Sequence, residues 1–284
     1  MSQYATLNED WRQAEDALNS AFFKAFYEAF KCPESNERLR NWPTLAQLNA
    51  RAKADAPRFV PADEALSNYE RFIFETGTVP TRDNWHDLFN AFVWLTFPQA
   101  KAALNCAHMQ ALEADGAAGL KLRSAARDAL TLFDESGIIV LSDNRDLLAH
   151  IPAFAWHKLF VQERAVLASH MLFVPFGHAV MEKMLSPYLG VVAKVILIEV
   201  GPDFFDLHHA AQIAWCDKET ARLILTSDIF KSPKNLLPLP FLGVPDWDPR
   251  NKDEAFYANT NYFRAGSRTW RFSRNKTNET GLEI

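Results

Sequence analysis

Apolar residues near the start of the chain recur at three- and four-residue steps: Trp11, Ala14, Leu18, Ala21, Phe22, Ala25, Phe26 and Phe30. With charges set between them, this spacing predicts one amphipathic helix from Asn8 to Phe30. "TLAQLNARAKAD" predicts a second over 44–55, with Thr44 after Pro43 as its N-cap. "NYERFIFETG" alternates instead, with Glu70, Phe72, Phe74 and Thr76 on one side and Tyr69, Arg71, Ile73 and Glu75 on the other. That pattern predicts a strand ended by Gly77.

Residues 82–108, "RDNWHDLFNAFVWLTFPQAKAALNCAH", read as one helix running into another, with Pro98 opening the second. A join near "EADGAAG" precedes a helix over 120–132, and "DESG" (134–137) reads as a turn into "IIVLSD", a short buried strand. Helices are predicted at 157–169, 175–186 and 206–225, and the β-branched "VVAKVILIEV" predicts a second good strand. Pro233, Pro238, Pro240, Pro245 and Pro249 then exclude helix, so this stretch reads as an irregular strap. The polar "RNKTNETGLEI" reads as a mobile tail. The expectation is an α+β fold, predominantly α-helical, with a few short strands and a Pro-rich C-terminal strap. No repeat and no Gly/Ser linker divides it, so a single domain over 1–265 is favoured above two subdomains, with 266–284 as tail.

Composition narrows the class. The 284 residues are 48% hydrophobic and 13% aromatic, ample for a large core. A net charge of −5 argues against nucleic acid as a partner, because phosphate binding calls for clustered Lys and Arg. The basic "RAGSRTWRFSRNK" near the end is the one stretch that points the other way. Three widely spaced cysteines, Cys32, Cys106 and Cys216, suggest neither a disulfide framework nor a thiolate zinc site, which makes reducing cytoplasm the expected location. The N-terminus does not resemble a secretory signal, and "LGVVAKVILIEVG" is too short and too charged to span a membrane.

The candidate chemistry lies where polar groups interrupt the apolar run at 82–108. Going round a helix from His86, Asn90 lies about 40° away, Asp83 about 60° and Asp87 about 100°. These groups share a face roofed by Val93, Trp94 and Phe97. Imidazole and carboxylate beside large hydrophobes acquire the perturbed pKa values that acid/base work requires, although Asp83 and Asp87 equally suit helix capping. On the next helix Lys101, Asn105 and His108 share a face, which a solvated side also explains. In "VPFGHAVMEKML", His178 and Glu182 are four residues apart, a spacing open to two metal ligands or a proton relay. Asp134 and Glu135, if folded near His86 and His178, complete an oxygen/nitrogen set suited to Mg, Mn, Fe or Zn. His208 and His209 are expected to split, one facing in and one out. GxGxxG, P-loop and GxSxG patterns are missing, so the common nucleotide and serine-hydrolase routes are not indicated.

Four blocks together resemble a bacterial family known as domain of unknown function 3025: "ETGTVPTRDNWHDLFNAFVWLTFPQAKAALN", "RDALTLFDESGIIVLS", "FGHAVMEKMLSPY" and "LPLPFLGVP…EAFYANTNYFR". The resemblance covers about residues 40–265, departs at "VPDWDP", and implies a common fold with no established activity. Two readings follow. In the first, the protein is a metal-assisted hydrolase or lyase on a small molecule. His86, Asp87, Asn90, Asp134 and Glu135 then serve catalysis, His178 and Glu182 hold a divalent metal, and Arg82, Lys101, Asn105 and His108 bind substrate. In the second, the same groups form a structural hydrogen-bond network in a binding or scaffold protein.

Overall fold

A computed structural model of the chain describes residues 3–26, 39–52, 56–62, 68–116 and 123–266. The expected tail and most of the basic C-terminal stretch lie outside the described residues, as do Phe30 and the last three residues of the "EADGAAG" join. The fold is helix-rich α+β, as the periodicities indicate. Helices α1 (Gln3–Gln13), α2 (Glu15–Leu18) and a 3-10 segment (Ala21–Phe26) replace the single predicted N-terminal helix. The chain tightens at Ala14, whose N–H is shared between Asp10 and Trp11 carbonyls, and turns at Asn19–Ser20. The apolar face nevertheless stays inward, with Trp11, Leu18, Phe22, Phe23 and Phe26 all buried.

Helix α3 (Leu45–Arg51) has the expected Thr44 cap, closed into a capping box by Gln47. The predicted strand at 69–76 is instead helix α4 (Tyr69–Thr76). Asn68 caps its start, and Gly77 at φ 63° ends it by donating to the Ile73 carbonyl. A strand would have put Arg71 and Glu75 on the face of Ile73. In the helix Ile73 is buried, with Arg71 and Glu75 exposed. Strands β1 (Arg58–Pro61) and β2 (Thr78–Thr81) pair in parallel beside it.

Helix α5 (Trp85–Thr96) runs into α6 (Pro98–Asp115) with Pro98 in the first turn, as expected. Helix α7 (Ala125–Ser136) continues through the predicted "DESG" turn and passes directly into β3 (Gly137–Ser142). Strand β3 is buried along its whole length because it is central in a four-stranded sheet. The other strands are β4 (Met171–Pro175), β5 (Val192–Glu199) and β6 (Leu237–Pro240), in spatial order β4-β3-β5-β6. Only β3 and β5 run parallel; both outer pairs are antiparallel. Pro175 therefore ends a strand rather than opening a helix, and α10 (His178–Lys183) starts after Gly177. Helices α8 (Arg145–His150), α9 (Arg164–His170, after a π-turn) and α11 (His209–Thr226) complete the helical set used below. His208 is exposed and caps α11, while His209 is half-buried.

Most of the Pro-rich strap forms 3-10 turns, but its "LPLP" lies on the sheet edge as β6, where missing N–H donors are tolerated. Downstream, Asn251 donates to the Leu242 and Val244 carbonyls and Tyr262 to that of Val191, so the strap is pinned to the core.

One close approach positions the helix ends. The N–H groups of Phe176 and Gly177 both donate to the Gly137 carbonyl, at 3.0 and 2.9 Å. A Cβ on Gly177 would collide with the backbone of Ser136 and Gly137. This contact brings the start of α10 against the end of α7. Gly177→Ala must push two backbones apart, and we expect a loss of about 3 kcal/mol or more in urea denaturation. A loss below about 1 kcal/mol would show that the junction yields freely.

Candidate functional site

The α7–α10 junction sets His178 at the first residue of one helix beside Asp134 and Glu135 in the last turn of the other. Helix α5 supplies the third side. Asn84 caps it through the Asp87 N–H, and His86 in its first turn faces α10. The Nε2 atoms of His86 and His178 stand 3.0 Å apart, and their rings meet edge to face at 79°. Glu135 Oε1 is 3.7 Å from His178 Nε2. His86, Glu135 and His178 thus each offer one possible ligand atom, and these atoms all lie within 4.8 Å of one another.

Behind each imidazole stands a carboxylate. Glu182 Oε2 is 3.3 Å from His86 Nδ1, and Asp134 Oδ2 is 3.8 Å from His178 Nδ1. The second of these ring nitrogens is buried without a well-formed hydrogen bond. Burial is the main reason that His178 is pushed down to about 4, with Lys101 and His86 adding repulsion against the pull of Asp134.

Asp134 is buried. Burial resists its ionisation, but Lys101 outweighs that cost and holds its carboxyl below the usual range. The Lys101 Nζ lies 2.5 Å from Asp134 Oδ1 and 2.9 Å from Asn90 Oδ1, over the Trp94 ring. Asn90 in turn donates to the Tyr69 hydroxyl at 2.7 Å. One hydrogen-bonded chain therefore joins α4, α5, α6 and α7.

These groups line a cavity of about 440 Å³. Of the residues picked out by sequence, Arg82, His86, Asp87, Asn90, His108, Asp134, Glu135 and His178 all line it. Three predicted members sit otherwise. Lys101 lies beneath the wall, its ammonium engaged with Asp134 and Asn90. Asn105 is turned to Glu70, donating to its backbone and its carboxylate. Glu182 does not join His178 but backs His86. Asp87 accepts from the Arg82 backbone N–H and guanidinium, so its carboxylate is engaged in a cap-like clamp.

Tyr69, Glu70, Arg123, Arg127 and Thr131 also line the cavity, and sequence reasoning missed them. The strand assignment at 69–76 hid the first two, although a capping Asn68 and a terminal Gly77 were visible signals of a helix. Burial raises the Glu70 carboxyl above its usual range, and burial likewise drives His108 down to about 4.

Residues 57–267 match the family described as "Protein of unknown function (DUF3025)", and the chain belongs to that family. No curated protein and no solved structure matches the chain. No helix among the described residues is long and apolar enough to cross a membrane.

Two measurements test this electrostatic arrangement. Lys101→Met strands the buried Asp134 charge and should cost about 3–5 kcal/mol, while adding Asp134→Leu should recover much of that loss. Equal losses in the single and double variants would show that the pair is not the source. The imidazole of His108 titrates near 6.5 when unfolded and about 4 when folded, so the unfolded chain takes up the proton first. Its contribution to stability is complete above 6.5 and is lost as pH falls towards 4, by up to about 3 kcal/mol. His108→Gln should flatten the fall in urea midpoint over that window, and the difference from wild type removes the opposing trend from Glu70.

Proposed function

We propose that this member of the DUF3025 family holds a divalent metal ion on His86, Glu135 and His178, in the service of a hydrolysis or lyase reaction on a small molecule. The observation that carries the reading is the paired orientation of the imidazoles. Their Nε2 atoms face each other at 3.0 Å, Glu182 is hydrogen-bonded at His86 Nδ1, and Asp134 lies 3.8 Å from His178 Nδ1. Metal-binding histidines are typically oriented by such carboxylates, which select the tautomer and raise ligand basicity. Two nitrogens bound about 2.0–2.1 Å from one ion at about 90–110° would be about 2.9–3.4 Å apart. The separation of 3.0 Å falls in that range. Two histidines with one carboxylate suit zinc or ferrous iron with open positions for water and substrate.

When bound, such an ion acidifies a coordinated water and polarises a carbonyl or phosphoryl oxygen. The protein's own groups do the remaining work. Burial keeps His178 neutral at physiological pH, the form in which it can ligate. Lys101 balances Asp134, so the carboxylate can orient His178 without adding free negative charge to the wall. Cys106 and Cys216 are free thiols, which fits action in a reducing compartment such as the cytoplasm.

A second reading draws on the same distance, since Nε2 atoms 3.0 Å apart can also share a proton as part of a structural network. Elemental analysis of protein purified without chelator separates the two. The metal reading expects near-stoichiometric metal that is lost in His86→Ala and Glu135→Ala with the fold intact, and affinity about 10–100-fold weaker in Glu182→Gln. It also expects added ion at a hundred times its dissociation constant to stabilise the protein by about 2.7 kcal/mol. Failure to bind zinc, iron or manganese, together with a loss of several kcal/mol in His178→Ala, would establish the network instead.

A further inference from the structure

The cavity contains a hydrogen-bond donor to which the metal centre gives no task. Lys101 Nζ can only donate, and it directs one proton to Asn90 Oδ1 at 2.9 Å. That contact fixes the orientation of the Asn90 amide, so its NH2 end faces the Tyr69 oxygen at 2.7 Å. An amide NH2 donates and does not accept. The Tyr69 oxygen is therefore the acceptor, and its own proton must find a partner elsewhere. Among the described residues Tyr69 has no hydrogen bond besides the one from Asn90. Burial raises the Tyr69 pKa, so the O–H is kept. Tyr69 is half-buried and lines the cavity, so its hydroxyl proton is available to an acceptor bound there.

A positive charge stands in the same cavity. Arg123 lines it, in the segment leading into α7, and forms no ion pair among the described residues. The carboxylates of the wall are meanwhile engaged. Asp87 is clamped by Arg82, Asp134 by Lys101, and Glu70 accepts from Asn105 while burial favours its neutral form. Glu135 is committed to the proposed ion. A hydroxyl proton, a guanidinium and an ion together favour a ligand that is all acceptor and negatively charged.

We propose that Tyr69 and Arg123 form an anion subsite that binds a carboxylate or phosphate oxygen of the substrate in the cavity of His86, Glu135 and His178. The substrate of this site is then a small acid, an assignment that rests on the metal reading for its chemistry but not for its binding. The donation to the anion is a hydrogen bond, and no proton leaves Tyr69.

Calorimetric titration of the full chain with inorganic phosphate, and separately with acetate, tests the subsite with and without bound zinc. Wild type should bind at least one of the two, and the stronger binder tells phosphate from carboxylate recognition. Tyr69→Phe keeps the ring and should weaken that binding about tenfold or more, as should Arg123→Gln at its exposed position. Zinc affinity should be unchanged in both variants. Binding of neither anion, or variants that bind as wild type does because the anion is held by zinc alone, would overturn the subsite. Failure of zinc to bind would sink the metal reading instead, and the zinc-free titrations would still decide the subsite.

Discussion

A lysine and an aspartate facing each other away from water tie α6 to α7, and the polar site is built outward from that pair. Neither charge is tolerable alone in the interior, so each dictates where the other must sit. The remaining protons of Lys101 then decide the orientation of Asn90, and Asn90 decides the direction of the Tyr69 hydroxyl. On the opposite side Asp134 Oδ2 lies 3.8 Å from His178 Nδ1. A single buried ion pair thereby sets the hydrogen-bond direction of residues from four separate helices.

The geometry of that pair would be useless without a backbone that can bring the helix ends together. Gly177 does so by lying against the Ser136–Gly137 junction more closely than any side chain would allow. Sheet pairing enforces the rest. Antiparallel β4 and β3 put Pro175 opposite Ile138, so the residues that follow β4 necessarily arrive where α7 ends. The start of one helix and the end of another converge for reasons of strand register, and the residues at those ends inherit a common cavity.

Electrostatics and packing work against each other around the cavity. The Trp94 ring lies against the Lys101 ammonium, and Lys101, Asp134, His108 and His178 are all buried. The consequence is a set of groups displaced in opposite directions: imidazoles that resist protonation and a Glu70 carboxyl that resists ionisation. Such opposed shifts are what acid/base and ligand chemistry at neutral pH calls for. A purely structural network would also produce them, which is why metal content and anion affinity carry the distinction.

Local chemistry sufficed to identify much of the fold. The Thr44 N-cap, Pro98 at the start of α6, the β-branched β5 and the exclusion of helix from the Pro-rich strap all depend on neighbours in the chain. The candidate residues His86, Asn90, Asp134, Glu135 and His178 were legible too, because polar groups inside apolar runs announce a cost that something must offset. Local pattern failed where two periods fit the same residues. The segment 69–76 alternates in hydropathy, and only its caps and its packing against α6 made it a helix. Partnership was beyond the sequence altogether. The i,i+4 spacing paired His178 with Glu182, whereas the fold gave Glu182 to His86 and brought Glu135 to His178. A residue's type and its position on its own helix follow from the chain's order. Which groups share a cavity is settled by how strands register and how closely two backbones can approach, and those are distances between residues far apart in sequence.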